Sequence, residues 1–215
     1  MNNPICSLTP GISRPRHRQG APSMTRTGPA RSGGERRNRR DGDKGLRPTT
    51  SKVRNAIFSM LGPAGVSGLR ALDLYAGTGA LGLDALGRGA EWVDFVERDP
   101  RRCEAIRAEV RRKGHDGAAG VHRGDAVAVI PRLEGRYDVI FIDPPYAVNP
   151  FERVLDGLAS NGRMADGCIL FLEHSSATTL PELLSGARQS TRKVYGDTAV
   201  SVYRYTCDQP ENQDW

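Results

Sequence analysis

The sequence predicts an α/β protein built on a mostly parallel sheet with helices on both faces. Three observations predict it. Strand-like and helix-like apolar patterns alternate along most of the chain after Leu69. The run Val139-Ile140-Phe141-Ile142 is continuously apolar, as a strand buried on both faces must be. Gly77-x-Gly79-x-x-Gly82 stands between the first strand pattern and a helix start, a strand–glycine turn–helix junction. The expected sheet has seven strands, the last two an antiparallel hairpin at the C-terminal end.

Order is expected from Leu46. Thr50 or Ser51 caps a helix whose apolar face is Val53, Ile57, Met60 and Leu61, and Gly62-Pro63 ends it. Leu69–Tyr75 is the first strand and Gly79–Gly87 a helix. Trp92–Glu97 is the second strand. Pro100–Lys113 is a helix, with Pro in its first turn and Cys103, Ile106 and Val110 on one face. Gly120–Arg123 is a short third strand and Asp125–Leu133 a short helix. Tyr137–Ile142 is the fourth, central strand. Phe151–Leu158 is helical, Cys168–Leu172 is the fifth strand and Leu180–Leu184 a short helix. Lys193–Tyr195 and Ala199–Tyr205 alternate around Gly196-Asp197 as a closing hairpin.

Charge divides the chain. Residues 1–50 hold 11 Lys and Arg against 3 Asp and Glu, and the rest hold 20 against 22. Residues 1–45 lack the apolar side chains that would offset their ordering entropy, so they read as a disordered basic arm. Residues 46–206 form the folded domain and 207–215 a tail. A basic arm on a near-neutral body points to a polyanion partner. Met24 is a second candidate start. No apolar run reaches membrane-span length and the start has no secretory h-region. Cys6, Cys103, Cys168 and Cys207 form no close pair, which fits reduced thiols in a cytoplasm and no metal site. His115, His122 and His174 share no ligand spacing and read as surface or core residues.

The candidate site lies at two strand ends. Gly77 and Gly79 let the backbone approach a ligand, and a carboxylate at the end of the second strand, Glu97, can hold ribose hydroxyls. Asp125, after the third strand, can accept an adenine amine or cap the following helix. Asp73 can orient the cradle or face a cationic group of the ligand. The second cluster is Asp143-Pro144-Pro145-Tyr146. Two prolines stiffen the loop. The Asp143 carboxylate and the Pro144 carbonyl are then fixed acceptors for the two hydrogens of an aromatic amine. That pair favours a pyramidal nitrogen with a localised lone pair, and Tyr146 offers a stacking face.

These residues resemble the RsmD family of bacterial methyltransferases, which use S-adenosylmethionine to methylate N2 of a guanine in 16S ribosomal RNA. The resemblance is carried by Arg47-Pro-Thr-Thr-Ser-Lys-Val53-Arg54-Asn-Ala-Ile-Phe58, by Asp73 to Ala90 and by Asp143 to Tyr146, and spans Leu46 to Tyr205. It implies a Rossmann-like methyltransferase fold with S-adenosylmethionine over Tyr75, Gly77, Gly79, Glu97 and Asp125. It also implies that Arg47–Thr50 lies near the cofactor, with Thr49 among its contacts. Asp143, Pro144 and Tyr146 are the catalytic candidates. Arg36, Arg37, Arg39, Arg40, Arg47 and Arg54 are candidate RNA contacts. The implied partner is 16S ribosomal RNA or the small subunit, met by a cytoplasmic monomer without metal. The sequence departs at Gly33–Gly42, which lacks the family's β-hairpin pattern, and at Asn55, where an acid is usual. Rival readings are a DNA adenine-N6 methyltransferase, an NAD-dependent reductase and a non-catalytic RNA-binding assembly factor.

Overall fold

The computed structural model describes residues 51–145 and 149–207. The first strands are β1 (Arg70–Leu74), β2 (Trp92–Glu97), β3 (Ala119–Arg123), β4 (Tyr137–Ile142) and β5 (Met164–Ser175). Then come β6 (Leu183–Leu184), β7 (Ala187–Tyr195) and β8 (Thr198–Tyr205). The helices are α1 (Ser51–Met60), α2 (Ala80–Gly87), α3 (Pro100–Arg112), α4 (Ala126–Val129) and α5 (Phe151–Ser160).

One sheet takes the order β3-β2-β1-β4-β5-β8-β7-β6. β1 to β5 pair in parallel, and β8, β7 and β6 add antiparallel. The chain runs outward from β1 through β2 to β3, then returns to the other side of β1 as β4. That reversal opens a crevice at the carboxyl ends of β1 and β4, where open α/β sheets hold ligands.

Alternation sorts the side chains to two cores. Leu72, Leu74, Ile140, Ile142, Leu170 and Leu172 face α4 and α5. Ala71, Val139, Phe141 and Phe171 face α1 and α2. Phe141 is fully buried, with ring centroids 5.8 Å from both Phe58 and Phe171. Arg54 Nε donates to Asp84 Oδ2 at 2.7 Å, and the Arg88 guanidinium lies over Phe58. These contacts tie α1 alongside α2. Asn55 is exposed on α1.

The antiparallel end departs from expectation. Leu180–Leu184 is not helical: Leu183–Leu184 is the edge strand β6, and the sheet therefore has eight strands. Ser185 and Gly186 both take positive φ, 48° and 83°, which is the two-residue turn of a tight hairpin. Leu183 is exposed while Leu184 is buried, so the leucines follow period two. β7 begins earlier than expected because beyond Arg188 no described strand pairs with its outer side, where the polar run to Lys193 is tolerated.

Candidate active site

β1 ends in strain. Tyr75 holds φ 61°, a left-handed conformation that costs a side chain with Cβ roughly 1–2 kcal/mol. Gly77 and Gly79 follow at 58° and 75°. Ala76 N–H donates to Val96 O and Gly79 N–H to Ala76 O, so the turn folds back tightly toward α2. The third glycine serves packing: a Cβ on Gly82 would stand 2.2 Å from Phe95 on β2. It allows the close approach of helix and sheet.

Two buried carboxylates set the turn's shape. Asp73 Oδ2 accepts from Gly82 N–H at 2.9 Å and ties the strand to the first turn of α2. Glu97 Oε2 accepts from Gly77 N–H and Oε1 from Asp99 N–H, both at 2.8 Å. Each Glu97 oxygen keeps a second lone pair. Glu97 is only 5% exposed, so it is a built part of the cradle and not a solvated partner for Arg98 or Arg101.

Asp125 caps α4, its Oδ1 accepting from Val127 N–H at 3.0 Å. It is exposed, and its charge lies close enough to add to burial in raising the Tyr75 hydroxyl to about 12. Asp143 leaves β4 beside β1, its N–H directed at Leu74 O at 3.5 Å. Pro144 is buried and Pro145 exposed. Burial, above all, pushes the Asp73 carboxyl up to about 8. The Gly82 hydrogen bond opposes that rise, and the Asp143 and Glu97 charges reinforce it.

The structure thus gathers Asp73, Tyr75, Gly77, Gly79, Glu97, Asp125, Asp143 and Pro144 at one end of the sheet. Arg54 is in the α1–α2 contact. Tyr146, Thr49, Arg47, Arg36, Arg37, Arg39 and Arg40 lie outside the described residues, as do the arm and most of the tail.

Sequence reasoning missed Glu173. It is 6% exposed near the carboxyl end of β5, one position beyond the Ile142–Leu172 pair, and by alternation shares the face of Phe171. No local motif marks it; only the parallel register of β4 and β5 does. Its neighbour His174 is a buried core residue. Nδ1–H donates to Ser175 O and Nε2 accepts from Ser201 Oγ, each at 2.9 Å. The Phe151 ring meets its edge at 6.1 Å, fixing the start of α5.

The donor and acceptor set fits a ligand with net positive charge and ribose hydroxyls. Carboxylates dominate it, and burial first, then the neighbouring Asp143 and Glu97 charges, raise the Asp73 carboxyl well above its usual range. Among the described residues no group of three or more His, Cys, Asp or Glu is placed to hold a metal ion. No described helix is long and apolar enough to cross a membrane.

Comparison with known proteins places the chain. The model of the family described as conserved hypothetical protein 95 matches residues 33–204. Ribosomal RNA small subunit methyltransferase D of Escherichia coli K12 is 31% identical over 160 residues, 74% of this chain and 80% of that protein. Bacillus subtilis YlbH is 33% identical over 161 residues, 74% of this chain and 87% of that one. A solved conserved hypothetical protein of Streptococcus pyogenes superposes with TM-score 0.67 at 30% identity, covering 71% of this chain and 95% of that one. An RNA methyltransferase of Salinibacter ruber, solved with S-adenosyl-L-homocysteine, shares the fold at TM-score 0.56 and 15% identity, covering 79% of this chain and all of that one.

Proposed function

Since this chain belongs to the conserved hypothetical protein 95 family, the RsmD family, we propose that it methylates N2 of a guanine in 16S ribosomal RNA, with S-adenosylmethionine as donor. The observation that carries the reading is the acidic end of the sheet. Asp73, Glu97 and Asp143 meet at the β1–β4 crevice, beside a glycine turn that lets the backbone approach a nucleoside.

When bound, S-adenosylmethionine supplies an electrophilic methyl on a cationic sulfur. The chain's own residues do the rest. Glu97, anchored through Gly77 and Asp99, presents its remaining lone pairs to ribose hydroxyls. The oxygen of Asp125 left over from the cap is an acceptor for the adenine amine. Asp73 holds the cradle's shape through Gly82 and gains a counter-charge when a cation arrives.

Asp143 and the Pro144 carbonyl accept the two amine hydrogens and hold the nitrogen's lone pair toward the methyl. Tyr146 stacks on the guanine ring. The guanine comes from a loop or is turned out of its stack, because a base within a helix cannot reach the crevice. Positioning of this kind supplies most of the rate. Arg36, Arg37, Arg39 and Arg40 of the arm, and Arg47 after it, hold RNA phosphates. We place the reaction in the cytoplasm, performed by a monomer on rRNA or the small subunit.

The test is mass spectrometry of 16S rRNA from cells lacking the protein, before and after incubation with purified protein and S-adenosylmethionine. One new N2-methylguanosine is expected. A methylated adenine in its place, or tight NAD binding without methyl transfer, would overturn the reading.

A further inference from the structure

Three arginines lie where β2 and β3 end and α3 begins. Arg98 follows Glu97 directly. Arg101 lies in the first turn of α3. Arg123 is the last residue of β3 and pairs in register with Glu97. All three are exposed. Among the described residues none of them forms an ion pair.

The rest of α3 behaves differently. Arg107 and Arg111 both reach Glu104, at 3.4 and 3.6 Å, and Arg112 reaches Glu109 at 2.6 Å. Arg107, Arg111 and Arg112 are thus balanced on their own helix, while Arg98, Arg101 and Arg123 form no ion pair among the described residues.

Arg101 also sits where a cation is unfavourable for the fold. A helix N-terminus carries partial positive charge, so cations there are destabilising. The first turn of α3 holds no acid. Asp99 precedes it, but its Oδ1 caps the helix, accepting from Arg101 N–H at 2.8 Å and Arg102 N–H at 3.2 Å. Those backbone hydrogen bonds, more than the arginine charges, hold the Asp99 carboxyl below its usual range. Asp99 offsets part of the Arg101 charge, but Arg98 and Arg123 have no ion-pair partner among the described residues, and uncompensated charge beside a site is expected to serve function. The missing compensation is an anion. S-adenosylmethionine has no phosphate, so the anion belongs to the other substrate.

We propose that Arg98, Arg101 and Arg123 form an RNA-contact rim on the folded body, gripping backbone phosphates next to the target guanine. The proposal rests on the rRNA methyltransferase reading. It gives the enzyme a grip independent of the N-terminal arm, on the cofactor's side of the mouth.

The experiment compares the full-length wild type with two variants. One is Arg98→Gln/Arg101→Gln/Arg123→Gln; the other, Arg111→Gln/Arg112→Gln, removes balanced arginines of the same helix. Each is titrated with unmethylated 16S rRNA across a salt series, and methyl transfer is followed in parallel. The triple variant should bind more weakly, with a slope of log affinity against log salt that is flatter by about two units. Its KM for RNA should rise while its S-adenosylmethionine affinity and melting temperature hold. The double variant should match wild type. Equal affinity and slope in the triple variant would overturn the rim, as would an equal loss in the double variant or a fall in S-adenosylmethionine affinity. Failure of the underlying reading looks different: the wild type itself would then neither bind nor methylate the RNA, and the rim would fall with it.

Discussion

Asp73 and Asp94 lie on adjacent strands, both nearly inaccessible, and their surroundings are opposite. Asp94 faces the α4–α5 side of the sheet, toward the amino ends of the strands. Trp92 Nε1–H and Tyr137 O–H donate to its Oδ2, and His122 Nε2 lies against its Oδ1, each at 2.7 Å. Arg70 stacks on the Trp92 and Tyr137 rings and brings its charge to 3.9 Å from Asp94. Burial pushes the Asp94 carboxyl up, but the hydrogen bonds from His122, Tyr137 and Trp92 outweigh it and leave it below its usual range. Gly120 makes the room, since a Cβ there would stand 2.3 Å from Asp94 Oδ1.

Asp73 accepts from the Gly82 N–H and has Asp143 and Glu97 for neighbours; burial above all, with those two charges adding to it, raises its carboxyl to about 8. A carboxylate whose donors all come from the chain belongs to the fold. One raised by burial with other carboxylates beside it is the kind a partner from outside completes.

The contrast is sharpest in catalysis. Asp143→Ala, at the acidic end, should lower kcat at least about a hundredfold through loss of amine positioning. Single-turnover methyl transfer with cofactor affinity measured alongside is the check. A wild-type rate would remove Asp143 from the chemistry. Asp94→Ala should do the reverse. It leaves a tyrosine hydroxyl, an indole N–H and a nearby guanidinium without their acceptor, at a cost of about 3–5 kcal/mol. Urea unfolding would show it. A stable Asp94→Ala variant would break the distinction between the two aspartates.

Glu97→Ala comes next, because Glu97 shares both characters: it fastens the Gly77 turn and offers lone pairs outward. S-adenosylmethionine binding should weaken by about 1–3 kcal/mol. Calorimetry decides, and unchanged affinity would confine Glu97 to a structural role.

How much of this was legible follows from range. Gly77, Gly79, Glu97 and Asp143-Pro144 are local patterns at strand ends, and the structure brings them to one crevice. The roles of Gly82 and Asp125 needed contacts: Phe95 explains the first, and the α4 cap the second. The Asp94 centre joins residues 28 and 43 positions apart, beyond any local period. Glu173 becomes visible only through the β4–β5 register. The Ser185-Gly186 hairpin was hidden because the two leucines before the turn, Leu183 and Leu184, suit a helix as well as a strand.

The most direct measurement is proton release on S-adenosylmethionine binding, followed by calorimetry in buffers of different ionisation enthalpy. In the folded protein Asp73 keeps its proton from its unfolded pKa of 3.8 up to about 8. Over that window the folded state holds more protons than the unfolded state, so the Asp73 contribution to stability falls as pH rises. A bound cation favours the carboxylate, so binding should release up to about one proton near pH 7, release should vanish well above pH 8, and affinity should strengthen with pH between them. Asp73→Asn keeps an acceptor for Gly82 N–H and should abolish the effect. Binding with no proton release in the wild type, or the same release in Asp73→Asn, would contradict the account of an acidic end completed by a cationic cofactor.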